Sequence, residues 1–388
     1  MIGALILATR HLRHHRVRSA IIVACVAASC ALPLLVRVLL HDFQQALASR
    51  ASSTPLLIGS KGNRFDLTMS LLYFRRVEVP PLSFADVRHL ATNGAGTIIP
   101  LNVRFTARRH PLVATSIDYY ELRRLRVAAG TLPLQLGDAV IGGRLADQLR
   151  LSVGDRLFSD QRELFDISKP PALKLHVVGV LAPSGGPDDE AVFTDIKTAW
   201  ILEGLSHAHL AATQVPASLV LDRATNRIVL SEELIDYNEV TPENIAAFHL
   251  HTDDSHLPVT GVIVVPDSVK SATLLSSRIN AGRTQQAVVP MNVVDDLLAY
   301  VFRLQVLFAA VSTLVGLLTL ALIVLVTALS IRVRSRELET LRRIGVARGT
   351  IIAMFGWEIA LLLALGATVA LISVGLVSLA APDLVKLL

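Results

Sequence analysis

The residues with the strongest claim to chemistry lie between positions 249 and 256, in His249-Leu-His251-Thr-Asp253-Asp254-Ser-His256. On a strand, His249 and His251 share a face, and with Asp253 or His256 they form a set of the kind that binds zinc. The same run describes a solvated polar loop equally well, and no second motif supports a metal. Another group, His11, His14 and His15, is interleaved with Arg10, Arg13, Arg16 and Arg18 and reads as part of a basic flank. Glu358 is the single charge in a stretch from about Gly349 to Pro382. A carboxylate there is either functional or close enough to a membrane surface to reach water or a neighbouring arginine. The second reading is the simpler one, because Glu358 sits only about two turns into the stretch.

Other chemistries lack their residues. There is no Gly-x-x-x-x-Gly-Lys-Ser/Thr loop to cradle phosphates, and Gly59-Ser-Lys-Gly62 is too short to serve as one. A Gly-x-Ser-x-Gly elbow, a His-Glu-x-x-His helix and a Cys-x-x-Cys pair are all missing from the sequence. The two cysteines, Cys25 and Cys30, lie in an apolar run, and a spacing of five puts them on different faces of a helix. The sequence therefore predicts no catalytic site and no metal or cofactor held by this chain.

The elements that must position these residues follow from composition. Of 388 residues, 52% are hydrophobic and 18% charged, with a mean hydropathy of +0.53. That is too apolar for an ordinary soluble domain. Even so, 37 Lys and Arg and 32 Asp and Glu are too many for membrane helices alone. The expectation is a membrane protein of α-helical spans with a large polar domain. Ser19 to Val36 is 18 residues without a charge, near the roughly 20 needed to cross a bilayer. Ala27-Ala28-Ser29-Cys30 is faintly like a lipoprotein cleavage site, but the apolar run continues through Val36, so an uncleaved anchor is expected. A second span is predicted over 304–331, bracketed by Arg303 and Arg332, and a third over 349–381.

Arginine placement orients these spans. No acidic residue precedes Asp42, and the loop 332–348 carries six arginines and two glutamates. Both ends of that pattern read as cytoplasmic. The polar region 41–302 is then outside the cytoplasm, and so is the C-terminus. The positive charge lies beside apolar runs, which points to topology and to membrane lipid, not to nucleic acid. The outer region reads as mixed α and β. Strands are predicted at Ala139-Val-Ile-Gly, over 174–181, at Gly261-Val-Ile-Val-Val and at Gln286-Ala-Val-Val289. Arg144 to Arg150 has helical spacing. Asp267 or Ser268 caps a second helix through Asn280, giving a strand–helix–strand unit at 261–290.

The loop between the second and third spans carries the sharpest pattern. From about Ser335 it reads as a helix with Leu338, Leu341 and Ile344 in one stripe, flanked by Glu337, Glu339, Arg342 and Arg343. Gly345 follows as its stop. Such a helix either lies on the bilayer or inserts its stripe into a partner.

Arg336-Glu337-x3-Leu341-Arg342-Arg343-Ile344-Gly345-Val-x-Arg348, followed by Ile352-x2-Phe355-x2-Glu358, resembles the hallmark segment of the FtsX/MacB-type ABC transporter permeases. Val140-Ile-Gly-Gly-x-Leu-Ala-x2-Leu-x4-Gly154-Asp155 with Val177-Val-Gly-Val-Leu181 is similar to that family's periplasmic core domain, a resemblance that implies an α+β outer domain of two subdomains. The resemblance implies a permease subunit in the bacterial inner membrane, paired with a second permease subunit as a homo- or heterodimer. It implies a separate ABC ATPase subunit that binds ATP and magnesium. Arg336, Glu337, Leu338, Leu341, Arg342, Ile344 and Gly345 would form the coupling helix that this ATPase grips. ATPase motion would then move the periplasmic domain, for export, efflux or lipoprotein release, with a periplasmic adaptor or substrate-binding protein as a further partner. An alternative on the same fold is a non-transporting regulator of a periplasmic enzyme such as a cell-wall hydrolase. The domain reading is 1–40, a basic N-terminus and first span; 41–302, a MacB-like core domain; and 303–388, an FtsX-like membrane domain. The family usually has four spans. Thr350 to Leu388 is too short for two, so the expectation is three.

Overall fold

The computed structural model describes residues 2–385 apart from 93, 95, 161–171, 209–219, 225–226, 231–238, 243, 246–247, 251 and 334. The chain divides into two compact units, Ser49–Val294 and a second made of Met1–Ala48 with Asp295–Leu388.

The unit Ser49–Val294 is built on one sheet of ten strands. In chain order these are β1 (Leu56–Ser60), β2 (Thr97–Ala107), β3 (His110–Thr115), β4 (Val127–Gly130), β5 (Asp138–Ile141), β6 (Arg156–Phe158), β7 (Lys174–Leu181), β8 (Val192–Asp195), β9 (Gly261–Val265) and β10 (Gln285–Val288). Across the sheet they run β10-β1-β9-β2-β3-β8-β5-β7-β4, and β6 also pairs with β7. The two expected subdomains thus share a sheet. One end is antiparallel and made from the two ends of the unit. The other is mixed, with parallel pairs β3–β8 and β5–β7.

Strand β7 shows why the sequence was readable. Leu175, Val177, Gly179 and Leu181 are buried and alternate with partly exposed neighbours, the period-two signature of a pleated strand. The expected strand–helix–strand unit also forms, as β9, the helix Val269–Ala281 and β10. The helix is capped by Ser268, whose hydroxyl accepts from the Ser271 amide while Ser271 Oγ accepts from the Ser268 amide. The Asn280 side chain closes the return to β10 with a pair of hydrogen bonds to the Ala287 backbone at 2.9 and 3.0 Å. β9 and β10 are not neighbours, however. β1 lies between them, antiparallel to both. Gly59 ends β1 beneath the helix Arg64–Tyr73. A Cβ there would meet Leu67 Cδ1 at 2.5 Å, so the glycine serves packing. Gly142 does similar work, since its Cβ would lie 2.4 Å from the Asp188 carbonyl oxygen. The turn Pro187–Glu190 can approach β5 only because no side chain stands there.

The other unit contains three helices long and apolar enough to cross a membrane, Arg16–Ser52, Pro290–Val333 and Arg348–Leu379. The first two outrun their charge-free stretches. At 1.5 Å per residue they reach about 55 and 66 Å, well past a hydrocarbon core of about 30 Å. The first runs unbroken through Cys30. The helices meet around Ile22, Val26, Ile323 and Leu362. Gly366 allows the closest approach, since its Cβ would fall 2.6 Å from Val26 Cγ1. Ser29 and Thr319 share a hydrogen bond of 2.7 Å between the first two. The outer faces present Val306, Leu307, Leu314, Leu317, Leu318 and Leu371, an apolar surface suited to lipid.

Candidate functional site

The loop between the second and third apolar helices folds as the helix Ser335–Arg343. Its stop is built as the sequence predicts. The Ile344 amide donates to the Thr340 carbonyl at 3.1 Å and the Gly345 amide to the Arg342 carbonyl at 3.0 Å. Gly345 adopts φ +97°, a conformation that costs a residue with a Cβ and costs glycine little. Arg348 then opens the third long helix. One exposed ion pair, Arg343 to Glu339 at 2.7 Å and one turn apart, supports the helix by a few tenths of a kcal/mol.

The two sides of this short helix differ. Ser335, Glu339, Arg342 and Arg343 line a cleft of about 780 Å³ whose other wall is Ile331, Ile351, Ile352 and Phe355. By helical spacing, positions 341 and 344 fall away from 335, 339 and 342, whereas 338 is one turn from both 335 and 342 and borders the cleft side. Ile344 is 74% exposed there. Arg336 is also exposed. Arg342, expected with the partner contact, lines the cleft.

Glu358 meets its simpler expectation by way of an arginine, and it is buried, at 5% exposure. Arg18 donates from Nη2 to Glu358 Oε1 and from Nη1 to Ser330 Oγ. His11 Nε2 lies 3.5 Å from the same carboxylate oxygen. His11 is therefore not simply part of a solvated basic flank. It is buried, and its ring meets His15 edge-on at 4.5 Å. Four helices contribute to this cluster: Ile2–His14, Arg16–Ser52, Pro290–Val333 and Arg348–Val385. A charge among apolar helices needs such partners, because an isolated one is too costly to bury.

Residues 309–386 match the model of the FtsX-like permease C-terminal family. Over this membrane segment the chain is similar to the FtsX-like permeases. The short helix, Gly345 and Glu358 all fall inside the matched region. Two solved structures are similar in part. One is the extracellular domain of the ABC-type transporter YknZ from Gram-positive bacteria, at 12% identity and a TM-score of 0.33, covering 60% of this chain and 98% of that one. The other is the periplasmic region of MacB from Actinobacillus actinomycetemcomitans, at 9% identity and a TM-score of 0.36, covering 65% and 94%. No curated protein matches the chain.

The histidine run at 249–256 lies only partly within the described residues. The His249 backbone pairs with His207 across a short two-stranded ladder, and His251 lies outside the described residues. His256 is exposed, with Nδ1 3.1 Å from Ser255 Oγ. Among the described residues no three His, Cys, Asp or Glu side chains gather as a metal site.

A cluster that sequence reasoning missed lies in the sheet domain. Arg50, in the last turn of Arg16–Ser52, is buried against Asp188. Its guanidinium donates to both carboxylate oxygens, to Tyr119 Oη at 2.7 Å and to the Leu72 carbonyl. Tyr119 in turn donates to Asp188 Oδ1 at 2.7 Å. Arg123 stacks over the Tyr119 ring and donates to Ser53 Oγ and Thr54 Oγ1 at 2.9 and 2.8 Å. Burial pushes the Asp188 carboxyl up, but the Arg50 charge and the hydrogen bonds from Arg50 and Tyr119 outweigh it and hold it below the usual range. Burial pushes the Tyr119 hydroxyl well up, so it stays a neutral donor. The end of the helix is thereby fixed from both sides, by Arg50 reaching in and Arg123 reaching back.

Proposed function

We propose that this chain is the membrane subunit of an ABC transporter whose ATPase is a separate polypeptide, and that the helix Ser335–Arg343 is the contact the ATPase grips. The observation that carries the reading is that helix itself, stopped by Gly345 within the family-matched segment, with positions 341 and 344 away from the cleft by helical spacing. A helix lying on the bilayer would turn its apolar positions toward the membrane-helix ends. Here the polar positions line the cleft beside those ends, which leaves 341 and 344 for a partner. Glu337 falls on the partner side by spacing and sets the register there.

On this reading the loop is cytoplasmic, the sheet domain is periplasmic, and the protein lies in the inner membrane with a second permease subunit. ATP and magnesium belong to the ATPase. This chain supplies no phosphate loop and contributes movement, passed from the gripped helix through the long membrane helices to the sheet domain.

A buried leucine contributes about 1.5–3 kcal/mol, and about 1.4 kcal/mol is a factor of ten in affinity. Leu341→Asp adds the cost of an unpaired carboxylate in the contact. The expected result is that the ATPase no longer co-purifies with Leu341→Asp chains that insert normally in the membrane. Undiminished recovery of the ATPase with that variant would end the assignment.

A further inference from the structure

The cleft behind the coupling helix is chemically two-sided. Its rim carries Arg342, Arg343 and Arg348 against the single carboxylate of Glu339. Glu339 is engaged by Arg343. Among the described residues neither Arg342 nor Arg348 has an acidic partner, and both are exposed. The opposite wall is apolar. Phe355 is buried, but Ile331 and Ile352 remain 41% and 72% exposed. Both flank the ends of helices long and apolar enough to span a bilayer.

We propose that this cleft holds an anionic phospholipid, with the phosphate between Arg342 and Arg348 and the start of an acyl chain against Ile331 and Ile352. The argument is complementarity. An occupant must carry negative charge at one end, because the rim has an excess of arginine, and arginine's planar fork suits phosphate. It must also cover exposed isoleucines at the other end, which free phosphate cannot do. Basic pockets between membrane helices on the cytoplasmic side take lipid headgroups for this reason. The site deepens the proposed function and rests on its membrane reading. It uses the side of the coupling helix away from positions 341 and 344, so headgroup and ATPase do not compete for one face.

The test uses the purified full chain, without ATPase, in nanodiscs of equal parts phosphatidylglycerol and phosphatidylcholine. Native mass spectrometry counts the lipids kept after release. Wild type is expected to keep phosphatidylglycerol preferentially, and Arg342→Gln/Arg348→Gln to lose that preference by about ten-fold, equivalent to about 1.4 kcal/mol. Arg342→Lys/Arg348→Lys, which retains charge without the planar fork, is expected to fall between them. Equal retention of the two lipids by wild type overturns the proposal, whether or not the Gln variant inserts. So does displacement of the lipid by glycerol 3-phosphate at matched concentration, which would mark a headgroup-only site. Adducts of a second copy of the chain in place of lipid would also overturn it. ATPase co-purification with Leu341→Asp is a separate measurement, so failure of the coupling reading and failure of the lipid site are distinguishable.

Discussion

Arg50 and Asp188 are 138 positions apart, and nothing in either one's neighbourhood announces the other. Arg50 stands among small residues, Ala48, Ser49 and Ala51, the one weak signal of a side chain reaching into a packed site. Glu358 was visible because it interrupts an apolar run, but its partners Arg18 and His11 were hidden in a flank whose charges already had an explanation in topology. Long-range pairing is what a single sequence conceals. The buried pair carries a prediction. Asp188→Asn leaves a guanidinium buried without its counter-charge, at a cost of about 3–5 kcal/mol. The melting temperature of the full chain in detergent should fall clearly, and Arg50→Met/Asp188→Leu should fall by less than the sum of its single changes. The Asp188 carboxyl is held below its unfolded value, so its contribution is present above about pH 4 and is lost as pH falls through the folded value. Wild type should therefore lose stability on acidification below about pH 4 more steeply than Asp188→Asn. A melting temperature indifferent to Asp188→Asn would contradict the pairing.

Among the elements, β7 and the helix Ser335–Arg343 were legible because each shows a clean period, two in one and three to four in the other. β1 was not. Leu56-Leu-Ile-Gly-Ser is too short and too evenly buried to show alternation, and so its place between β9 and β10 could not be read. The helix Arg16–Ser52 was read only as far as Val36, because hydropathy reports the bilayer and not the helix. Beyond Val36 the chain continues through Arg37, His41 and Gln45 with no breaker. Gly345 is an element-scale feature with a test. A Cβ there meets no atom within 4 Å, so Gly345→Val costs only backbone strain at φ +97°, about 1–3 kcal/mol. The expected outcome is faster hydrogen exchange across residues 335–345 in the inserted chain, with the sheet domain unchanged. Unaltered exchange would show that the helix does not depend on its glycine stop.

Across the molecule, the apolar runs gave away the three long helices, and the motif at 336–358 pointed to the family that residues 309–386 match. Substrate and partner leave no such trace, because they are set by surfaces that a single chain does not pattern. The proposed orientation rests on arginine placement. With Cys25 and Cys30 replaced by serine, a thiol at Val269→Cys should react with an impermeant reagent from the periplasm, and one at Glu339→Cys only after the inner membrane is opened. Val269 is 85% exposed and so suits the reagent, whereas Asp188 is buried. The reverse pattern would invert the topology. The central claim, that a separate ATPase grips the short helix, is tested most directly by a photo-crosslinking residue placed at 341 and, in a second chain, at 335. The account predicts a covalent adduct with an ATPase bearing a phosphate loop from 341 and none from 335. An adduct to lipid alone from 341, or ATPase captured equally from both positions, would contradict it.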